Sequence, residues 1–378
     1  MKADTNRYYI GLMSGTSLDG IDAALVCMEA TTPRLIATHA EAMPDELYQR
    51  LLALCHAPSV SFAELALAEA AFCRLQARAV QTLLETTGMP PTQIQAIGSH
   101  GQTIEHAPGG HDGGPAYTLQ LDNPSLLAEL TGCAVVGDFR RRDLAAGGQA
   151  APLAPAFHQA VFASEEHHQL ILNLGGFANL TWLPPRASER KPLGFDTGPA
   201  NVLLDAWYQR HQGGRFDHDG RWAASGYVDT TLLERLLAEP FFQQAPPRST
   251  GREMFHLPWL ESHLRGAETS ADVQATLAEL TAASVAQGII QLGLDDTDPV
   301  VLIPCGGGAH NPDLLARLAG YVPNIALRDS ADWGWPADWM EAGAFAWLAH
   351  QRLHGLPGNL PSVTGARGPR ILGGIYAP

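Results

Sequence analysis

The chain has 378 residues, 46% of them hydrophobic, enough to build two domains or one large one. Its net charge of −15 argues against a nucleic-acid or anionic-membrane surface, because such partners are held by clustered Lys and Arg. The only lysines, Lys2 and Lys191, do not follow a glycine-rich turn, which excludes a Walker-type phosphate loop and a protein-kinase lysine.

Charged Lys2, Asp4 and Arg7 precede a strand-length apolar run without a signal-peptide core, and no later segment has the apolar length of a membrane span. Cys27, Cys55, Cys73, Cys133 and Cys305 are scattered and never in CxxC spacing, as expected of reduced thiols in the cytoplasm.

The first element is a hairpin, Tyr9 to Val26, in which an apolar strand enters a Gly/Ser/Thr/Asp turn and leaves as a second strand. Backbone N–H groups at such a turn form a concave donor site for phosphate oxygens. The segment Gly15, Thr16, Ser17, Leu18, Asp19, Gly20, Ile21 and Asp22 is the candidate phosphate loop, with Asp19 and Asp22 suited to a hydrated Mg2+. Taken alone it could equally be an ordinary hairpin with a long turn.

Helices are expected over Asp45–Ala57 and Ser61–Thr87, then a strand over Ile94–Gly98 ending in the polar loop Ser99-His-Gly-Gln-Thr103. The strand Tyr117–Leu121, a helix near Pro124–Thr131 and the strand Ala134–Val136 follow. His168 to Trp182 is a second hairpin turning at Gly175 and Gly176, so the two hairpins echo each other. A helix over Ser270–Leu292 leads to a third glycine turn, Gly306, Gly307 and Gly308, with Asn311 before the helix Pro312–Leu318. That geometry presents N–H groups to a nucleotide. A last long helix is expected over Pro336–His354.

The pattern predicts an α/β protein of two related lobes around a cleft, with residues 1–137 and 350–378 in one domain and 138–349 in the other.

Asp196, on the tight turn Phe195-Asp-Thr-Gly-Pro199, is the acid/base candidate; capping of the helix Asn201–His211 is the competing reading. Glu341 lies in a helix with an otherwise small, apolar face, where a sugar hydroxyl could satisfy it; an exposed position favoured by the helix dipole is the alternative. Gln102 and Thr103 suit a neutral polar ligand. His100 lacks a second His or Cys at ligand spacing, so it reads as a loop or core histidine, and Asp217-His-Asp219 as a solvated turn. No resident protein-bound metal site is expected.

In order along the chain, Gly11-Leu-Met-Ser-Gly-Thr-Ser-Leu-Asp-Gly-Ile-Asp22, Gly98-Ser-His-Gly-Gln-Thr103, Val136-Gly-Asp-Phe-Arg-Arg-Arg-Asp143, Gly147-Gly-Gln149, Asn173-Leu-Gly-Gly-Phe-Ala-Asn179, Phe195-Asp-Thr-Gly-Pro199, Ser249-Thr-Gly-Arg-Glu253, Gly306-Gly-Gly308 and Gly355 to Gly365 resemble the anhydro-N-acetylmuramic acid kinase family. That family sits in a superfamily with sugar kinases, actin and Hsp70. The resemblance implies a two-lobed actin-like ATPase (ribonuclease H-like) fold with a central interdomain cleft. It also implies an enzyme that uses ATP and Mg2+ to open 1,6-anhydro-N-acetylmuramic acid hydrolytically and phosphorylate O6. The product would be N-acetylmuramic acid 6-phosphate, in peptidoglycan recycling.

By the same resemblance Asp196 is the general base, and Thr103, Arg140 and Glu341 contact the sugar, Arg140 facing a lactyl carboxylate. Among Arg140, Arg141 and Arg142 the resemblance does not choose firmly, and it leaves room for a homodimer. An ordinary hexose kinase, or a non-catalytic nucleotide-dependent binding protein on the same scaffold, are the alternatives. Ala150 and Ala200 stand where the family commonly has glycine, which requires negative φ at both, and Trp335 is unusually bulky before Pro336.

Overall fold

Residues 7–378, apart from Thr16, Ala30, Thr31, Pro58, Asp112 and Asp296, are described by a computed structural model. They fall into two compact units, Met1–Val161 with Trp339–Pro378, and Phe162–Asp338. The first boundary therefore lies after the expected 137/138 and the second before the expected 349/350. Residues 138–161 and the start of the last helix side with the first unit, for packing reasons given below.

The first unit contains β1 (Arg7–Met13), β2 (Gly20–Glu29), β3 (Thr32–Ala42), β4 (Ile94–Ser99), β5 (Gln102–Ala107), β6 (Tyr117–Leu121) and β7 (Val135–Gly137). The second contains β8 (His168–Leu174), β9 (Phe177–Leu183), β10 (Leu193–Pro199), β11 (Val300–Cys305) and β12 (Ala326–Leu327), and β13 (Gly374–Tyr376) returns to the first. The first sheet runs β13-β7-β4-β1-β2-β3 and the second β10-β9-β8-β11-β12, with β5 and β6 as a separate ribbon. Each sheet has an antiparallel meander of three strands, with parallel strands added beside its first strand. The echo between the hairpins is thus an echo between whole sheets.

β2 and β8 are buried along nearly their whole length, as strands covered on both faces must be. In the first unit the helix Phe62–Thr87 supplies one cover; Ser61 caps its start by accepting from Glu64 N–H, and Gly88 ends it at φ +65°. The opposite face is covered by the helix Met340–Leu353. There a Cβ on Gly11 would lie 1.8 Å from the Ala342 carbonyl oxygen, and one on Gly98 2.0 Å from that of Phe345. These contacts draw the helix into the first unit. It begins at Met340, not at Pro336, because Ala337–Trp339 form a 3₁₀ turn.

In the second unit the helix Ser270–Ile290 lies on the sheet, with Gly288 against Phe195 and Thr197 of β10. Among the described residues no helix is long and apolar enough to cross a membrane.

Candidate active site

The first hairpin turn joins β1 to β2, whose register runs from Arg7↔Met28 to Met13↔Asp22. Ser14 Oγ donates to the Gly20 carbonyl at 2.9 Å, and Ser17 Oγ to Asp19 Oδ1 at 2.9 Å. Leu18 turns at φ +58° while its side chain is buried, a strained residue held by packing at the tip of the loop. Gln102 Nε2 reaches the Gly15 carbonyl at 3.3 Å, so the loop after β4 supports the turn. Thr16 lies outside the described residues.

That same loop begins a polar cluster on the first unit. His100 is buried, and its Nδ1 faces the Gly101 carbonyl at 2.8 Å. Arg140 donates to His100 Nε2 from Nε at 3.1 Å and from Nη2 at 2.9 Å, and from Nη1 to the Ala150 carbonyl at 2.9 Å. Arg141 instead sits exposed beside Asp138 at 3.7 Å, and Arg142 is exposed, so Arg140 is the one of the three turned inward. Burial brings the Arg140 guanidinium down to about 10, opposed by the charge of Glu341. Glu341 is exposed at the start of its helix, and its charge couples to that of Arg140. Thr103 Oγ1 accepts from Gln120 Nε2 at 3.2 Å.

Behind Arg140 stands Asp143, wholly buried. Its Oδ2 accepts from Ala150 N–H at 2.8 Å, and its Oδ1 from Asn359 Nδ2 at 2.6 Å and Thr364 Oγ1 at 2.8 Å. This tie joins residues 140–150 to the segment Gly355–Gly365 in the first unit. It also corrects the expectation for Ala150, which has φ +60°. The left-handed conformation persists despite the methyl because Asp143 holds the residue's N–H. Ala200, at φ −126°, meets its requirement, and Trp335 is buried.

In the second unit Asp196 sits beside a bulge in β10. Its N–H donates to the Arg248 carbonyl at 2.9 Å, and Arg248 Nε returns a bond to its carbonyl at 3.1 Å. Thr250 N–H donates to its Oδ2 at 2.9 Å. The following helix, Asn201–Gln212, has Ala200 at its N-cap, so Asp196 does not cap it. Burial pushes the Asp196 carboxyl up to about 6, opposed by the Thr250 N–H and Arg248 and reinforced by Glu253. A carboxyl held in place with that affinity can exchange a proton near neutral pH.

The other glycine turns also lie in the second unit. Gly175 and Gly176 offer their carbonyls to the N–H groups of Asn201, Ala200 and Val202 at 2.9–3.1 Å, and Asn201 Nδ2 donates to the Leu174 carbonyl at 3.0 Å. Gly306, at φ +72°, lies against Asn173, and Gly308 against Leu174, so these two turns pack on each other. A 3₁₀ turn, Gly307–His310, separates the glycines from the helix Pro312–Tyr321, and Asn311 Oδ1 caps that helix by accepting from Leu314 N–H at 3.0 Å. Part of the expected N–H array is therefore used by the chain itself.

Gly15, Gly175, Gly176 and Gly307 behave differently from the packing glycines. No protein atom lies closer than 3.6 Å to where their Cβ atoms would stand, and none has positive φ. Nothing inside the protein requires glycine at these positions. Among the described residues no group of three or more His, Cys, Asp or Glu could hold a metal. Asp217, expected as a solvated turn, accepts from Trp222 and Ala223 N–H, both at 2.9 Å.

Sequence reasoning missed the contacts made by His100, Asp143, Asn359, Thr364, Arg248 and Thr250. All but Arg248 lie inside the quoted motifs, and Arg248 immediately precedes one, but none carries a local signal of its partner.

The repeated hairpin-led sheets define an α/β protein built on two similarly ordered mixed sheets. A family model described as anhydro-N-acetylmuramic acid kinase matches residues 7–378. Proteins named anhydro-N-acetylmuramic acid kinase from Chromohalobacter salexigens and Pseudomonas syringae pv. syringae are 64% and 50% identical, over 98% of this chain and 99% of theirs in both cases. The namesake from Thiobacillus denitrificans is 52% identical over 97% of this chain and 96% of its own. A solved ROK family glucokinase from Streptomyces griseus, in complex with glucose and AMPPNP, covers 91% of this chain and 99% of that one at 14% identity and a TM-score of 0.40. The chain belongs to the anhydro-N-acetylmuramic acid kinase family.

Proposed function

We propose that Asp196 is the general base of an ATP-dependent kinase that opens 1,6-anhydro-N-acetylmuramic acid and phosphorylates O6, in cytoplasmic peptidoglycan recycling. Family membership carries the overall reaction, and the pinned Asp196 carboxyl, pushed up to about 6, is the observation that carries the role. In its ionised form Asp196 takes a proton from water as the water oxygen bonds to C1. The C1–O6 bond breaks, and O6 accepts the γ-phosphoryl group, leaving ADP and N-acetylmuramic acid 6-phosphate. One base thereby serves both bond changes.

Phosphate binding is assigned to Gly15, Ser17, Leu18, Asp19, Gly20, Ile21 and Asp22 in the first unit and, separately, nucleotide binding to Gly175, Gly176, Gly306, Gly307, Gly308 and Asn311 in the second. Asp19 and Asp22 would hold the water shell of Mg2+, which when bound offsets the charge on the phosphates. Thr103, Arg140 and Glu341 would bind the sugar, with Arg140 meeting the lactyl carboxylate by charge-assisted hydrogen bonds.

The test is incubation with Mg-ATP and the anhydro-sugar in heavy-oxygen water. The expected result is ADP, phosphate at O6 and label at C1, all abolished together in Asp196→Asn. Absence of ADP and 6-phosphate would overturn the reading, and turnover restricted to a ring-open hexose would replace the substrate.

A further inference from the structure

One buried titratable group has no part in that chemistry. His100 is 6% exposed, its ring tilts against Phe345 at 4.8 Å between centroids, and its N–H is tied to the Leu12 carbonyl at 3.1 Å. The Gly101 carbonyl at 2.8 Å from Nδ1 can only accept, so Nδ1 carries the proton and Nε2 presents a bare lone pair. Two N–H groups of Arg140 converge on that lone pair, and a third is taken by Ala150. The Ala150 carbonyl is itself fixed, since Asp143 holds the residue's N–H. Three of the five guanidinium donors are thus engaged, which leaves one N–H on each terminal nitrogen for an outside acceptor.

We infer that His100 is a positioning residue, which sets the Arg140 guanidinium for a carboxylate and thereby selects acid anhydro-sugars over their uncharged counterparts. The inference rests on the reading of Arg140 given above. A freely rotating arginine would give up side-chain entropy on binding; one clamped by an imidazole and a carbonyl has already lost it. Burial first and the Arg140 charge second hold His100 well below its ordinary value, which keeps the accepting form present. The charged and titratable groups coupled to Arg140 are His100, His106 and Glu341. A histidinium would put two cations face to face.

The experiment compares the affinity of the enzyme for anhydro-N-acetylmuramic acid and for anhydro-N-acetylglucosamine, which lacks the lactyl group, by calorimetry. Wild type, His100→Phe, His100→Gln and Arg140→Gln are measured. His100→Phe is expected to weaken the acid sugar about tenfold and the neutral sugar by less than about twofold, whereas His100→Gln, which keeps an acceptor, restores most of the loss. Nitrogen NMR of the wild type should show Nε2 unprotonated between about pH 5 and about pH 8.

Equal losses for both sugars, an unaffected acid sugar in His100→Phe, or a protonated Nε2 would each overturn the inference while leaving the kinase reading intact. An Arg140→Gln variant that binds the acid sugar normally would overturn the role of Arg140 and this inference with it.

Discussion

Replacing Asp143 by Asn tests the scaffold beneath the Arg140 cluster, the proposed sugar site, with the loss of a single charge. The wild-type carboxylate accepts three hydrogen bonds and donates none, and it lies so close under Gly148 that a Cβ there would be 2.1 Å from Oδ2. An asparagine must turn its NH2 toward one side. Toward Ala150 it meets an N–H and orphans it; toward Asn359 it meets an amide that cannot flip, because Asn359 Oδ1 already holds Arg370 N–H at 2.6 Å. The better orientation sacrifices the Ala150 bond, and a hydrogen bond to a buried charged group contributes about 1.5–3 kcal/mol. Relief of the buried charge offsets part of any further cost, so about 2–3 kcal/mol of destabilisation is expected. Urea denaturation should show a lower midpoint at unchanged slope. Because the freed Ala150 carbonyl no longer anchors Arg140, KM for the sugar should also rise while KM for ATP stays put. A midpoint within about 0.5 kcal/mol of wild type, with KM for the sugar unchanged, would refute the reasoning.

Ala150→Gly should do the opposite: relief of left-handed strain of about 1 kcal/mol, partly offset by the greater unfolded-state freedom of glycine, predicts a net gain of about 0.5 kcal/mol, read as a higher Tm with full activity. On the proposed general-base role Asp196 acts in its ionised form, so kcat/KM should fall about tenfold per pH unit below about 6 and level off above it, and Asp196→Asn should lose at least about 10²-fold at every pH. Asp205, raised from 3.8 to about 7 by burial and then by Asp217, carries a folded-state penalty that grows as pH rises from 3.8 to about 7 and is constant above. Asp205→Asn should therefore stabilise the protein by about 1–3 kcal/mol at pH 8, with the gain vanishing near pH 4 in a denaturation series.

Elements whose causes are local were readable from the chain. Ser61 and Gly88 bracket a 26-residue helix with its cap and stop, and the alternation around each glycine turn announced both hairpins. What was illegible depends on partners far away in sequence. Asp143 and Asn359 are 216 positions apart, and neither has a neighbour that hints at the other. His100 was weighed as a metal ligand or a core residue because those roles have spacing rules; acceptance from an arginine 40 positions on has none. The helix expected from Pro336 begins at Met340 because the 3₁₀ turn over Ala337–Trp339 comes first, which periodicity does not register.

Glycine shows most clearly where sequence stops and structure takes over. Gly11 occurs in the same motif as Gly15, and Gly98 opens another, yet the role of both is steric: the helix backbone passes within 1.8 and 2.0 Å of an imagined Cβ, so alanine at either would force the helix off the sheet. At Gly15, Gly175, Gly176 and Gly307 the same imagined atom meets nothing closer than 3.6 Å. Alanine there should leave stability nearly untouched and fall wholly on the nucleotide, raising KM for ATP. Identical letters in one motif thus divide into those that build the sheet-helix interface and those beside which a side chain would meet open space, and only the surrounding atoms tell them apart.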